Sequence, residues 1–241
     1  MKIGIVSDLH SNLPALEAAL ADMGAVNALW CLGDFVGYGP WPNDCIDLLR
    51  ARGAVAIAGN HDLAAIGSIP TYTFNRDAAE AVEWTGRHLR ADCRAYLESL
   101  STKSEVDGVT LAHGSPREPV WEYVLSPQVA AASFACFSTQ LCFVGHTHIP
   151  SLFQLEGDSR VGIAHMLAGA SHYVGPERLM VNPGSVGQPR DRNPRAAYAI
   201  YDTDRATIEW HRTAYDIGAT QRSIREAGLP AVFAERLSHG V

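Results

Sequence analysis

The chain has 241 residues, 47% apolar and 19% charged, with a formal net charge of −7, the composition of an ordinary globular protein of one large domain or two small ones. No Lys or Arg run interrupts this acidic balance, which argues against a general nucleic-acid surface or an anionic-membrane surface. A small anionic substrate stays compatible, because bound cations reverse the charge locally.

Residues 2–6 read as a strand ending at Ser7-Asp8-Leu9-His10. Asn12 caps the helix that follows, Pro14 fits its first turn, and Leu13, Leu16, Leu20 and Met23 mark one face. Residues 28–32 form a short buried strand that breaks at Gly33 and delivers Asp34; glycines and Pro40 then make a loop. Asn43 is expected to cap a second helix with Cys45, Leu48 and Leu49 inward. Residues 54–58 are a third strand, ending at Gly59-Asn60-His61-Asp62. Strands alternating with helices predict βαβ units and a parallel sheet.

The middle of the chain differs. A loop over 66–74 leads to a helix over 75–90 with Val82, Thr85 and Leu89 inward. A second helix carries Cys93, Tyr96, Leu97 and Leu100. Together they form a helical excursion, about 66–104, between core strands. A fourth core strand, 109–112, ends at His113, and a fifth, 141–144, ends at Gly145-His146-Thr147-His148. After Pro150 come short strands at 152–155, 179–181, 196–201 and 206–211, the last two a hairpin around 202–205. They predict a second sheet packed on the first. Residues 214–238 read as terminal helices broken at Gly228-Leu229-Pro230. No linker separates domains, so 1–241 reads as one domain.

The five cysteines, Cys31, Cys45, Cys93, Cys136 and Cys142, form no Cys-x-x-Cys pair and read as reduced thiols of a cytoplasmic protein. The first residues are too briefly apolar for a signal peptide, and no stretch is long enough to span a bilayer.

A lone Gly-Asp after a strand usually means a turn. Here five motifs each follow a strand: Asp8/His10, Asp34, Asn60 to Asp62, His113, and His146/His148. Loops at the carboxyl ends of parallel strands converge on one crevice. The set mixes imidazole nitrogen with carboxylate and amide oxygen and contains no thiolate, which suits Mn, Fe, Zn, Ni or Co better than Ca or a structural thiolate zinc. Asp34 is read as bridging two such ions.

These motifs resemble the signature of the calcineurin-like metallophosphoesterase superfamily: Asp-x-His, Gly-Asp, Gly-Asn-His-Asp/Glu, His and Gly-His-x-His. They cover roughly the first three-fifths of the chain, and no ligand position departs from the pattern. Residues 182–189, Asn-Pro-Gly-Ser-Val-Gly-Gln-Pro, are similar to a segment of a small bacterial branch that includes phosphodiesterases and diadenosine tetraphosphate hydrolases. The resemblance implies an α/β fold of two mixed β-sheets packed face to face with flanking helices, an αββα sandwich.

It also implies two divalent transition-metal ions, Mn foremost. One would be held by Asp8, His10, Asp34 and His148, the other by Asp34, Asn60, His113 and His146. The implied reaction is hydrolysis of phosphate mono- or diesters by attack of a metal-bridging hydroxide. His61 would protonate the leaving alkoxide or help hold the phosphoryl group, and Asp62 would orient His61 by accepting from its other nitrogen. His88, His165, His172, His211 and His239 lie outside the signature and read as ordinary exposed or hydrogen-bonded side chains.

Arg190, Arg192 and Arg195 form either a solvated basic cluster or a donor to a distal phosphate, for which Arg190 is taken as the candidate. Trp41, Phe74 and Trp121, with Tyr38, Tyr72 and Tyr123 nearby, offer faces for a nucleobase or else pack a lid. The partner is therefore expected to be a small phosphorylated substrate, a nucleotide among the candidates, with no nucleic-acid or membrane partner. Alternatives are a dinucleoside polyphosphate hydrolase, a serine/threonine protein phosphatase and a non-catalytic metal-binding scaffold.

Overall fold

A computed structural model describes residues 1–157 and 160–241. Two mixed sheets of six strands each lie at its centre. In the first, β1 (Lys2–Val6), β2 (Ala28–Cys31) and β3 (Val55–Ala56) run parallel. The sheet continues beyond β1 through β11 (Ala196–Asp202), β12 (Thr207–Thr213) and β9 (Ser171–Tyr173). In the second, the order is β4 (Lys103–Val106), β5 (Val109–Ala112), β6 (Leu141–Phe143), β10 (Leu179–Asn182), β7 (Ser151–Glu156) and β8 (Arg160–His165).

This allocation corrects one expectation. β5 and β6 do not extend the first sheet; they start the second, parallel to each other and to β10. The C-terminal hairpin β11–β12 goes the other way and extends the first sheet. Buried parallel strands are apolar on both faces, so their sequences do not say which sheet they join.

The period of two along each strand separates two cores. Ile3, Ile5, Trp30 and Leu32 point between the sheets and meet Leu111, Phe143, Leu152 and Val181. Val6 and Cys31 point the other way, under α1 (Leu13–Met23) and α2 (Pro42–Ala51). On the far face of the second sheet, Ala130 and Phe134 of α6 (Pro127–Phe134) cover Phe153 and Met180. The layers therefore run helix, sheet, sheet, helix.

Asn12 caps α1 as expected, its side chain accepting from Ala15 N at 3.3 Å. Asn43 does not cap α2, whose N-cap is Trp41 with no side-chain bond. Asn43 instead ties down the excursion, donating to His88 O and accepting from Arg90 N, both at 2.9 Å. The excursion contains α4 (Arg76–His88), capped by Asn75, and α5 (Ala91–Glu98). Before it, Asn60–Ala65 forms a short helix, α3. α7 (Ile217–Glu226) and α8 (Ala231–Leu237) close the chain, separated at Gly228 as the sequence suggests. Among the described residues no helix is long and apolar enough to cross a membrane.

Candidate metal centre and its cavity

The motif loops meet where the carboxyl ends of β1, β2 and β3 face those of β5 and β6. Several non-glycine residues there hold a left-handed backbone: Asp8 (φ 53°), His10 (48°), Asp34 (52°), His146 (64°) and His148 (60°). Each such residue costs about 1–2 kcal/mol. The loops after β1 and β2 offset this by zipping together, with Asp8 N to Gly33 O at 3.1 Å, His10 N to Asp34 O at 3.0 Å and Ser11 N to Phe35 O at 2.9 Å. The strain turns successive side chains towards one point.

Asp8, His10, Asp34, Asn60, His113, His146 and His148 are all buried and brought together. Asp8, His10 and His148 offer ligand atoms within 4.8 Å of one another, and so do Asp34, His113 and His146. Asp34 Oδ2 stands between the groups, 3.7 Å from His10 Nε2 and 3.4 Å from His113 Nε2.

The tautomers can be read from the backbone. His10 Nδ1 donates to Val36 O at 3.2 Å, His113 Nδ1 to Leu32 O at 2.8 Å and His148 Nδ1 to Gln188 O at 2.5 Å. A carbonyl can only accept, so each ring keeps its proton on Nδ1 and, in its neutral form, turns an Nε2 lone pair inward. The Nε2 atoms of His10 and His148 are 3.1 Å apart. Two lone pairs cannot hydrogen-bond to each other, but both can bind one cation. Nitrogen donors about 2.1 Å from one ion would lie about 3–3.5 Å apart, which that spacing meets. His113 Nε2 and Asn60 Oδ1 are also 3.1 Å apart, and His146 Nε2 is buried with no partner among the described residues. The donors fit divalent transition ions.

Burial holds His10 well below the ordinary histidine range, lowers His148, and pushes His146 down to about 3. Burial also opposes the charge on Asp34, but the surrounding imidazoles, His113 first, outweigh it and keep the carboxyl low. For His113 burial is outweighed by Asp34, which pulls the ring up to about 9. The carboxylates thus call for positive charge at the point where the lone pairs converge.

His61, on the first turn of α3, packs 4.7 Å from His10, 4.4 Å from Tyr38 and 4.9 Å from Phe74, ring to ring. Its backbone N donates to Asp34 Oδ1 at 2.9 Å. Burial pushes the ring down to about 4. Asp62 does not orient it. The two Asp62 oxygens accept from Val36 N at 3.1 Å and Gly59 N at 3.0 Å, while His61 Nδ1 is buried with no partner among the described residues. Asp62 is the third residue of α3, and its carboxylate reaches back to cap that helix and pin the loop after Asp34.

A cavity of about 290 Å³ opens above these groups. Asp34, Asn60, His61, His146 and His148 line its floor. Phe74 and Trp121 form one wall, 5.1 Å apart edge to face. Tyr38, Tyr123, Arg190 and Arg236 also line it. Trp41, expected here, is not among the lining residues; it starts α2 instead, and Tyr38 takes the place on its loop. Arg192 and Arg195 are exposed and outside the cavity, so Arg190 alone of that cluster reaches it. Arg236 carried no sequence signal, since a single basic residue on a terminal helix looks like any solvated one. The other histidines stay outside, for example His88 stacked on Trp84 at 3.8 Å and His211 on Tyr198 at 5.0 Å.

Residues 1–206 match a family model described as the calcineurin-like phosphoesterase superfamily domain. A metallophosphoesterase from Sphaerobacter thermophilus, known from its crystal structure, is 45% identical, with 100% of this chain and 99% of that chain covered and a TM-score of 0.92. An uncharacterized protein of Methanocaldococcus jannaschii is 36% identical over 245 residues, covering 99% of this chain and 98% of its own. A hypothetical protein from Pyrococcus horikoshii OT3 shares the fold at 21% identity, with 100% and 98% of the two chains covered and a TM-score of 0.78.

Proposed function

Because this chain belongs to the calcineurin-like phosphoesterase superfamily and is therefore a metal-dependent phosphoric ester hydrolase, we propose that it works with two divalent ions on a small phosphorylated substrate. Asp8, His10, Asp34 and His148 would hold one ion, and Asp34, Asn60, His113 and His146 the other. The observation that carries this reading is the set of rings anchored by Nδ1 to Val36, Leu32 and Gln188, whose Nε2 lone pairs meet around two carboxylates. The ions, when bound, supply the Lewis acidity that activates water and offsets charge on the phosphoryl oxygens.

The chain's own groups do the rest. Asp62 fixes the loop that presents Asp34. His61, on the cavity floor, gives a proton to the leaving oxygen. Burial keeps it neutral in the free site, and the negative charge of an arriving phosphoryl group favours its cation. Phe74 and Trp121 each offer the non-phosphate part of a nucleotide a ring face to stack on. Mn is the ion we favour, with Fe, Zn, Ni and Co as the other candidates.

Metal analysis alongside nitrophenyl phosphate hydrolysis tests the two-ion reading. Active protein should hold two ions per chain, and Asp34→Asn should release both and abolish turnover. Full activity with a single ion per chain would overturn it.

A further inference from the structure

The cavity has a cationic side that the metal ligands do not use. Arg190 donates from Nη2 to Gln188 Oε1 at 3.1 Å and reaches the Tyr38 hydroxyl at 3.5 Å. Among the described residues its Nε and the neighbouring Gln188 Nε2 are buried with no partner. Arg236 arrives from α8, beyond the residues that match the family model. Phe233 and Arg236 are three apart and share a helix face. The Phe233 ring packs 4.4 Å from that of Tyr38, which sets Arg236 beside it on the cavity wall. The Arg236 Nε donates to an oxygen of Val241, the last residue of the sequence, at 2.7 Å, leaving the two Nη groups.

Among the described residues neither guanidinium forms an ion pair with an Asp or Glu side chain, whereas Arg90, Arg117 and Arg212 do. Burial disfavours the Arg236 cation, and Arg190 beside it adds to that cost. Two like charges in one part-buried cavity need an anion between them. Two divalent ions would already leave the floor positive after Asp8 and Asp34 are counted. A diester brings about one negative charge and a monoester about two, so phosphoryl groups in series match the cavity better than either.

We propose that Arg190 and Arg236 form a subsite for a second phosphoryl group, so that the substrate carries phosphoryl groups in series. One lies on the floor and the next is held by the paired guanidinia, the fork geometry that suits phosphate oxygens. This rests on the phosphoesterase reading of the floor.

The test is inhibition of nitrophenyl phosphate hydrolysis by inorganic tripolyphosphate and by orthophosphate, in excess Mn, so that chelation is equal for every variant. The wild type should bind tripolyphosphate at least about tenfold more tightly than orthophosphate. Arg236→Gln and Arg190→Gln should each raise the tripolyphosphate Ki by roughly 10- to 100-fold, the loss of one charge-assisted contact. The same variants should raise the orthophosphate Ki at least about tenfold less. Arg236→Lys, which keeps the charge and loses the fork, should fall between. Arg192→Gln, exposed and outside the cavity, should match the wild type in both. Equal weakening of both inhibitors by Arg236→Gln would mean that the arginines serve the reacting group, and the subsite would be rejected. A wild type that prefers orthophosphate would reject it too. Absence of turnover with any divalent ion would count against the floor reading instead. Calorimetry of tripolyphosphate binding to wild type and Arg236→Gln would then decide the subsite alone.

Discussion

Gly37→Ala isolates the contribution of His61 without touching a metal donor. Gly37 follows Asp34 by three residues and has φ +92°. A Cβ there would lie 2.4 Å from His61 Nδ1 and 3.1 Å from its Cγ, where ordinary contact begins at 3.4 Å. The ring must therefore move by about 1 Å, and a misplacement of that size can cost about 10²-fold in rate. The left-handed backbone adds about 1–3 kcal/mol of strain, which for a chain of this size lowers the unfolding midpoint by about 2–12 °C. Turnover of an alkyl phosphate should fall about 10²-fold, and that of nitrophenyl phosphate less, because a good leaving group needs little protonation. Metal content should stay at the wild-type value. In a His61→Ala background, which itself should lose roughly 10²–10⁴ in turnover, Gly37→Ala should cost nothing further. Wild-type turnover of both esters in Gly37→Ala, or a full additional loss in the double variant, would refute the argument.

Asp62→Ala should leave Val36 N and Gly59 N buried and unsatisfied, at about 1–3 kcal/mol each, so that thermal unfolding shifts down while the leaving-group dependence of turnover is unchanged. Phe74→Ala and Trp121→Ala should each weaken a nucleotide substrate by about 1–3 kcal/mol in kcat/KM, while Trp41→Ala, outside the cavity, should not. Parallel losses on nitrophenyl phosphate would mark the two aromatics as packing rather than a stacking surface.

The donors were legible in the sequence because each sits directly after an apolar run, where a strand end fixes position to within a residue or two. The helix cap Asn12 is legible for the same local reason, whereas Asn75 reads only as the first residue of the helix that it caps. What was not legible is set by contacts distant in sequence. The sheet to which β5 and β6 belong depends on β10, some forty residues further along the chain. α3 has no apolar period, and it forms because Asp62 caps its first turn. Its own sequence shows only the motif. Ser126-Pro127 marks the start of α6 by a local cap signal of the same kind. Trp41 and Tyr38 are both aromatics on one loop, and only the packing of Tyr38 against His10, His61 and Phe233 separates them.

The division of donors between two sheets sets a mechanical problem, since sheets packed face to face through apolar side chains hold relative position less sharply than hydrogen-bonded strands do. Residues 182–189 answer it. The segment leaves β10 in the second sheet and enters the first through β11, passing under both groups of motif loops. On the second-sheet side, Asn182 Nδ2 donates to Gly145 O at 2.7 Å and Thr147 Oγ1 at 3.0 Å, and Gln188 O receives His148 Nδ1. On the first-sheet side, Ser185 Oγ donates to Asp8 O at 2.8 Å, Val186 N to Ser7 O at 3.0 Å and Gly187 N to Asp8 O at 2.9 Å. Trp210 on β12 closes the link, its Nε1 donating to Asn182 O at 2.9 Å. None of these groups need touch an ion. They hold Asp8 and His148, which come from different sheets, with Asp8 Oδ1 3.3 Å from His148 Nε2. The segment is therefore best understood as the brace that keeps the two halves of the donor set in register, which explains why its polar side chains are buried although they lie outside the donor set.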